Sequence, residues 1–468
     1  MQERDFHESF LFGAASSGPQ SEGAFDKPHE SVMDAWFRLH PEDFHDGIGP
    51  NTASDFYHRY PEEFKRMKEC GFNSFRTSLQ WSRLIRNLET GEADETAVRY
   101  YRNLIRCAKE NGIRLILNLH HFDLPEDLLE QYGGWENRHV AELFVKYAHT
   151  AFELFGNEVE LWTTFNEPMV IAEAGYLEGF HWPKYKGRGK EAVQVMYHLN
   201  LASALVIQEF RRMKCPGKIG IILNLTPVIP RSDSEEDRRA AEFAEDFYNR
   251  FFLTSAVKGV FPERLIRVFG ENDVLFAAKE EDVTVFSANT VDFLGVNYYH
   301  PKRVKARETP LNESGWTPSR TFEDYTPSNI RINPYRGWEI LPEAITEIAE
   351  TIRTEYGNIP WYLSECGMGI EHEERFLSAE GIIEDDCRIA FYEEHLARLL
   401  EAIKAGSNCF GFHAWTAFDC WSWNNAYKNR YGFISVDPKT QERTIKKSGR
   451  WFRKLSETGN LPGYERNS

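Results

Sequence analysis

Eight short apolar runs, each separated from the next by a longer stretch, constrain this chain more than any other feature. The runs are Phe10–Ala15, Ser74–Leu79, Leu115–His120, Leu161–Asn166, Ile219–Leu225, Phe293–Tyr299, Trp361–Glu365 and Phe410–Trp415. Each has the length and character of a strand buried on both faces. Between them lie segments 57–70, 95–111, 138–155, 191–214, 234–258, 342–356 and 385–405, where apolar residues return every three or four positions. In the last of these, Ile389, Tyr392, His395, Leu396, Leu399 and Ile403 form one stripe. Eight strands alternating with helices predict an α/β chain: a single (β/α)8 TIM barrel over residues 1–468, with long loops at the C-terminal face of its strands.

The ends of the runs carry polar residues: Gln20 and Glu22 after the first, Arg76 in the second, His120 and His121 at and after the third. Asn166 and Glu167 close the fourth, Asn297 and Tyr299 the sixth, Glu365 the seventh and Trp415 the eighth. In a barrel these ends converge on one mouth, where the chemistry of the fold is located. The stretch from about 300 to 340, broken by Pro301, Pro310, Gly315, Pro318, Pro327 and Pro334, is too long for a plain connection and is expected to rim that mouth. Trp316 and Trp338 are its candidate sugar-contacting side chains.

Composition narrows the partners. Lys and Arg number 55 against 72 Asp and Glu, a net charge of −17, which argues against a nucleic-acid or membrane partner because both demand a basic face. A small anionic substrate needs only a local cationic pocket. The seven cysteines are scattered without CxxC pairs, and the N-terminus has no apolar leader; both point to reduced thiols and a cytoplasmic location. No metal-ligand spacing or phosphate-binding glycine loop is present, and no cofactor is expected. The paired strand-end carboxylates Glu167 and Glu365, in a chain with 12 Trp to stack on sugars, suit glycoside hydrolysis.

Several segments then occur in a telling order: Phe12-Gly13-Ala14-Ala15 with Gln20-Ser21-Glu22-Gly23, Phe75-Arg76-Thr77-Ser78, His121-Phe122-Asp123-Leu124-Pro125, Thr164-Phe165-Asn166-Glu167-Pro168, Asp292 to Tyr299, Ser364-Glu365 and Arg430-Tyr431-Gly432-Phe433. On these the chain resembles the family 1 glycoside hydrolases from Phe10 to about Leu455. The resemblance implies a retaining mechanism with Glu167 as acid/base and Glu365 as nucleophile, with Arg76 and Tyr299 beside Glu365 to keep it ionised. It also implies that Gln20, His121 and Asn166 bind sugar hydroxyls, with Trp415 as stacking platform and Trp423 near the sugar's O4; the strand-end Asn297 and the loop's Trp338 are further candidate substrate contacts.

Ser422 stands where family members acting on unmodified sugars carry a glutamate, and so resembles the branch that hydrolyses 6-phosphoglycosides. A carboxylate would repel a phosphate dianion, whereas a hydroxyl, an ammonium and a phenol can donate to it. The expected phosphate contacts are Ser422, Lys428, Asn429 and Tyr431. Here Asn429 occupies the place of that branch's lysine, two residues before Tyr431, and the lysine is Lys428. Cys366 replaces the asparagine that usually follows the nucleophile, and Phe122 replaces a common tryptophan. The sugar is expected to be of gluco configuration, with galacto open. The alternatives are a β-glucosidase or β-galactosidase for unphosphorylated sugars and a non-catalytic sugar-binding barrel.

Overall fold

A computed structural model describes residues 4–311 and 315–464. Eight parallel strands close into a barrel: β1 (Leu11–Ala15), β2 (Ser74–Ser78), β3 (Arg114–His120), β4 (Leu161–Asn166), β5 (Lys218–Asn224), β6 (Phe293–Asn297), β7 (Trp361–Glu365) and β8 (Cys409–Trp415). Each pairs with its neighbours in sequence, and β8 closes on β1 with Ala15 opposite Trp415. The strand residues are almost all buried, as expected of strands covered by helices outside and packed side chains inside. All eight apolar runs of the sequence are these strands.

The outer helices are α1 (Phe56–Glu69), α2 (Glu95–Glu110), α3 (Arg138–Phe155), α4 (Gly189–Arg212), α5 (Glu235–Glu245), α6 (Ala344–Glu355), α7 (Asp386–Lys404) and α8 (Lys447–Thr458). Two differ from expectation. The segment 234–258 is not one continuous helix, because a π-turn over Asp246–Arg250 widens it before a last helical stretch, Phe251–Lys258. The turn aims Asn249 at the loop after β5, where its amide exchanges hydrogen bonds with the Thr226 backbone at 2.9 and 3.0 Å. Helix α8 lies outside the segments expected to be helical, because only Trp451, Phe452 and Leu455 mark its short apolar face. It buries Phe452 and Leu455, and Gly449 lies so close to α1 that an added Cβ would stand 3.0 Å from the Cys70 sulfur.

The described residues of the 300–340 stretch carry strands of their own. Its strands Lys302–Ala306 and Phe322–Asp324 join Val228–Pro230 in a small three-stranded sheet beside the mouth. Trp316, expected to meet sugar, instead packs into apolar core against Phe243, Phe247 and Phe269. No helix among the described residues is long and apolar enough to cross a membrane.

Candidate active site

A cavity of about 120 Å³ opens at the C-terminal ends of the strands. Its wall includes Glu167 and Glu365, from opposite sides of the mouth. Glu365, the last residue of β7, receives the Arg76 guanidinium on Oε1 and the Tyr299 hydroxyl on Oε2, the latter at 2.6 Å. Arg76 comes from the middle of β2, is fully buried, and is anchored by a 3.0 Å hydrogen bond to the Ser16 carbonyl. Burial and the two glutamates push the Tyr299 phenol far above its ordinary range, so it remains a donor.

Glu167 follows β4 in a left-handed backbone conformation (φ 49°), which turns its side chain from the strand into the mouth. Asn297 Nδ2 donates to its Oε1 at 2.8 Å and to Asn166 Oδ1 at 3.1 Å. Asn297 is itself aimed by the Ser364 hydroxyl, 2.6 Å from its Oδ1. Burial, reinforced by the negative charge of Glu365, pushes the Glu167 carboxyl up to about 8. The two carboxyls therefore differ in kind: one is held against a guanidinium, the other is protonated at neutral pH. A proton donor facing a carboxylate in one cavity is the equipment for cleaving a glycosidic bond.

Around this pair the wall holds Gln20, His121, Asn166, Trp338, Trp415 and Trp423. Gln20 is fixed by the Ser17 hydroxyl on Oε1 and by its own donation to the Trp421 carbonyl, at 2.8 and 3.0 Å. Burial and Arg76 keep His121 neutral, and its ring lies nearly parallel to Trp415 at 6.2 Å. His120, by contrast, points away into Trp135, Phe144 and Phe165, and Glu22 is consumed by a buried ion pair with Arg83. Cys366 is buried in the core and lies off the cavity wall, so the orientation of Glu365 comes from Arg76 and Tyr299.

The same wall also holds Ser422 and Tyr431, both on the loop after β8, and Tyr431 packs in one cluster with Trp415 and Tyr299. Asp419 closes the base of that loop, accepting from the Gly432 amide at 2.8 Å and from the buried Lys446 ammonium at 3.1 Å. Tyr431 fits because Gly369 has no side chain; a Cβ there would stand 2.6 Å from the phenol ring. Two residues expected beside Ser422 and Tyr431 are not on the wall. Lys428 turns outward to Glu371, at 3.4 Å, and Asn429 spends its amide on the Tyr335 carbonyl and Glu371, at 3.5 and 3.4 Å. Conversely, Arg336 lines the cavity although no strand-end position or motif marked it. The only signal was its place in the long loop, two residues before Trp338.

The chain is a glycoside hydrolase: it belongs to glycosyl hydrolase family 1, whose model matches residues 2–460. It is 47% identical over 456 residues to the 6-phospho-beta-glucosidase GmuD of Bacillus subtilis, covering 97% of each chain. It is 33% identical to a 6-phospho-beta-galactosidase of Clostridium acetobutylicum, again over 97% of each. Among solved structures, the family 1 β-glucosidase of Thermotoga maritima superposes with a TM-score of 0.88 at 30% identity, over 98% of this chain and 100% of that one.

Proposed function

We propose that the protein is a retaining 6-phospho-β-glycosidase, preferring 6-phospho-β-glucosides, that works in the cytoplasm as one barrel unit. Glu167 donates its proton to the glycosidic oxygen while Glu365 attacks the anomeric carbon, breaking the C–O bond and forming a glycosyl ester. Glu167, now ionised, takes a proton from water, which attacks the same carbon and releases Glu365. Gln20, His121 and Asn166 hold the sugar hydroxyls, Asn297, expected among them but off the cavity wall, positions Glu167 instead, Trp415 supports the ring face, and Trp338 and Trp423 bound the site.

The observation that carries the phosphate reading is Ser422 and Tyr431 on the same cavity wall as the two glutamates. Both can donate to a phosphoryl group, and neither repels it. The gluco preference leans on the 47% identical relative, and the location on seven free cysteines. Comparing kcat/KM for p-nitrophenyl β-glucoside and its 6-phosphate tests the reading. Preference for the phosphorylated substrate is expected; equal or faster turnover of the neutral one would leave a β-glucosidase instead. The 6-phospho-galactoside arm reads the sugar configuration, and the anomer first released, followed by NMR, reads retention.

A further inference from the structure

We infer that Arg336 is the cation that holds the substrate's phosphoryl group; the inference rests on the 6-phosphoglycosidase reading above. A phosphate monoester is close to a dianion at neutral pH, and this chain must bind it against a net charge of −17. Neutral donors such as Ser422 and Tyr431 can orient such a group but cannot balance it. Around the mouth, cation after cation is already committed. Arg76 is on Glu365, Lys302 is 3.1 Å from Asp324, Lys428 is 3.4 Å from Glu371, and Lys446 lies between Glu373 and Asp419.

Arg336 is the exception. It is the one cationic side chain on the cavity wall among the described residues, and its buried Nε has no hydrogen-bond partner. The guanidinium carbon lies 4.3 Å from the centroid of the Trp338 ring, so the indole covers one face and leaves the N–H edge for a ligand. It also lies close enough to the Tyr431 hydroxyl to oppose the upward push of burial on that phenol. Arg336 and Tyr431 therefore share one corner, with Ser422 on the same wall. A planar fork of donors matches two phosphoryl oxygens, which a single ammonium does not.

The position is prepared before any ligand arrives. Arg336 sits in a tight turn closed by the Asn333 amide on the Trp338 carbonyl at 2.8 Å and by the Gly337 amide on the Asn333 carbonyl at 2.9 Å. Gly337 supplies the positive φ, 72°, that the turn requires. Asn333 is buried and donates from Nδ2 to the Gly369 carbonyl at 3.1 Å, which ties the turn to the same Gly369 that makes room for Tyr431. The phosphate cation thus comes from the loop after β6, not from the loop after β8 where Lys428 and Asn429 lie.

The test is kcat/KM of wild type, Arg336→Gln, Arg336→Lys and Lys428→Ala on p-nitrophenyl β-glucoside and its 6-phosphate, with inhibition by glucose 6-phosphate and by glucose. Arg336→Gln is expected to lose roughly 100-fold on the phosphorylated substrate, mainly in KM, and to weaken glucose 6-phosphate by a similar factor. The neutral substrate and glucose should change by less than about threefold, and Arg336→Lys should recover part of the loss. Equal losses on both substrates would assign Arg336 to holding Trp338 and overturn the inference, as would a larger loss in Lys428→Ala. A wild type without phosphate preference would instead defeat the functional reading itself.

Discussion

The strand-borne floor and the loop-borne corner of one site are built by different means. On the floor, Glu167, Asn297, Glu365 and Arg76 belong to strands or to the residue just after one, and each is hydrogen-bonded to a group from another strand or its end. The barrel's register sets their spacing directly: Asn297 of β6 is paired with Glu365 of β7. In the corner, Ser422, Tyr431 and Arg336 hang on two loops whose geometry comes from side-chain ties, Asp419 to Gly432 in one and Asn333 to Gly369 in the other. Chemistry that must not move sits on strand ends; selectivity sits on loops that can be exchanged without disturbing the barrel.

That division predicts different failures. Glu365→Ala should lower kcat by about five orders of magnitude on neutral and phosphorylated substrates alike, with azide restoring part of it by taking the vacated place. An active Glu365→Ala protein would remove the floor from the chemistry. Ser422→Glu should act on one substrate only, cutting the phosphate-to-neutral ratio of kcat/KM by on the order of 10³-fold through like-charge repulsion. An unchanged ratio would move the phosphate site elsewhere.

Acidity sets the next effect. With Glu167 up at about 8, kcat/KM should fall as pH rises through that value, because the proton donor is lost. The same shift has a stability consequence. The unfolded glutamate ionises near 4.5 while the folded one keeps its proton, so the native state binds more protons and loses stability as pH rises from 4.5 to about 8. Glu167→Gln should therefore melt higher than wild type at pH 8 and show little difference at pH 4, by calorimetry. The smallest effect belongs to Asn297→Ala. It removes a donor that favours the ionised Glu167, so the alkaline limb of the pH profile should move up, and a downward move would contradict the geometry.

The floor was legible in the sequence for a physical reason. A buried parallel strand is a short apolar run, so a charged residue closing it stands out, and eight such runs imply that their ends meet. Gln20, His121, Asn166 and Trp415, placed in the site by the family resemblance, line the cavity together. Reading failed where position depends on loop folding. Lys428 and Asn429 are adjacent to the right residues in sequence, yet the turn between Ser422 and Tyr431 faces both toward Glu371. Trp316 and Trp338 looked equivalent in sequence, but one is core and the other is on the cavity wall.

The barrel and its two strand-end glutamates are written in local patterns of the chain, namely strand length, helical period and a polar residue where each run stops, and the family is carried by the motifs at those ends. Folding in three dimensions supplies the reason Glu167 keeps its proton and brings Arg336, which no motif marked, to the substrate. Protonation depends on burial and on the neighbouring charge, and Arg336 reaches Tyr431 across 95 positions of chain through a turn that no local pattern announces.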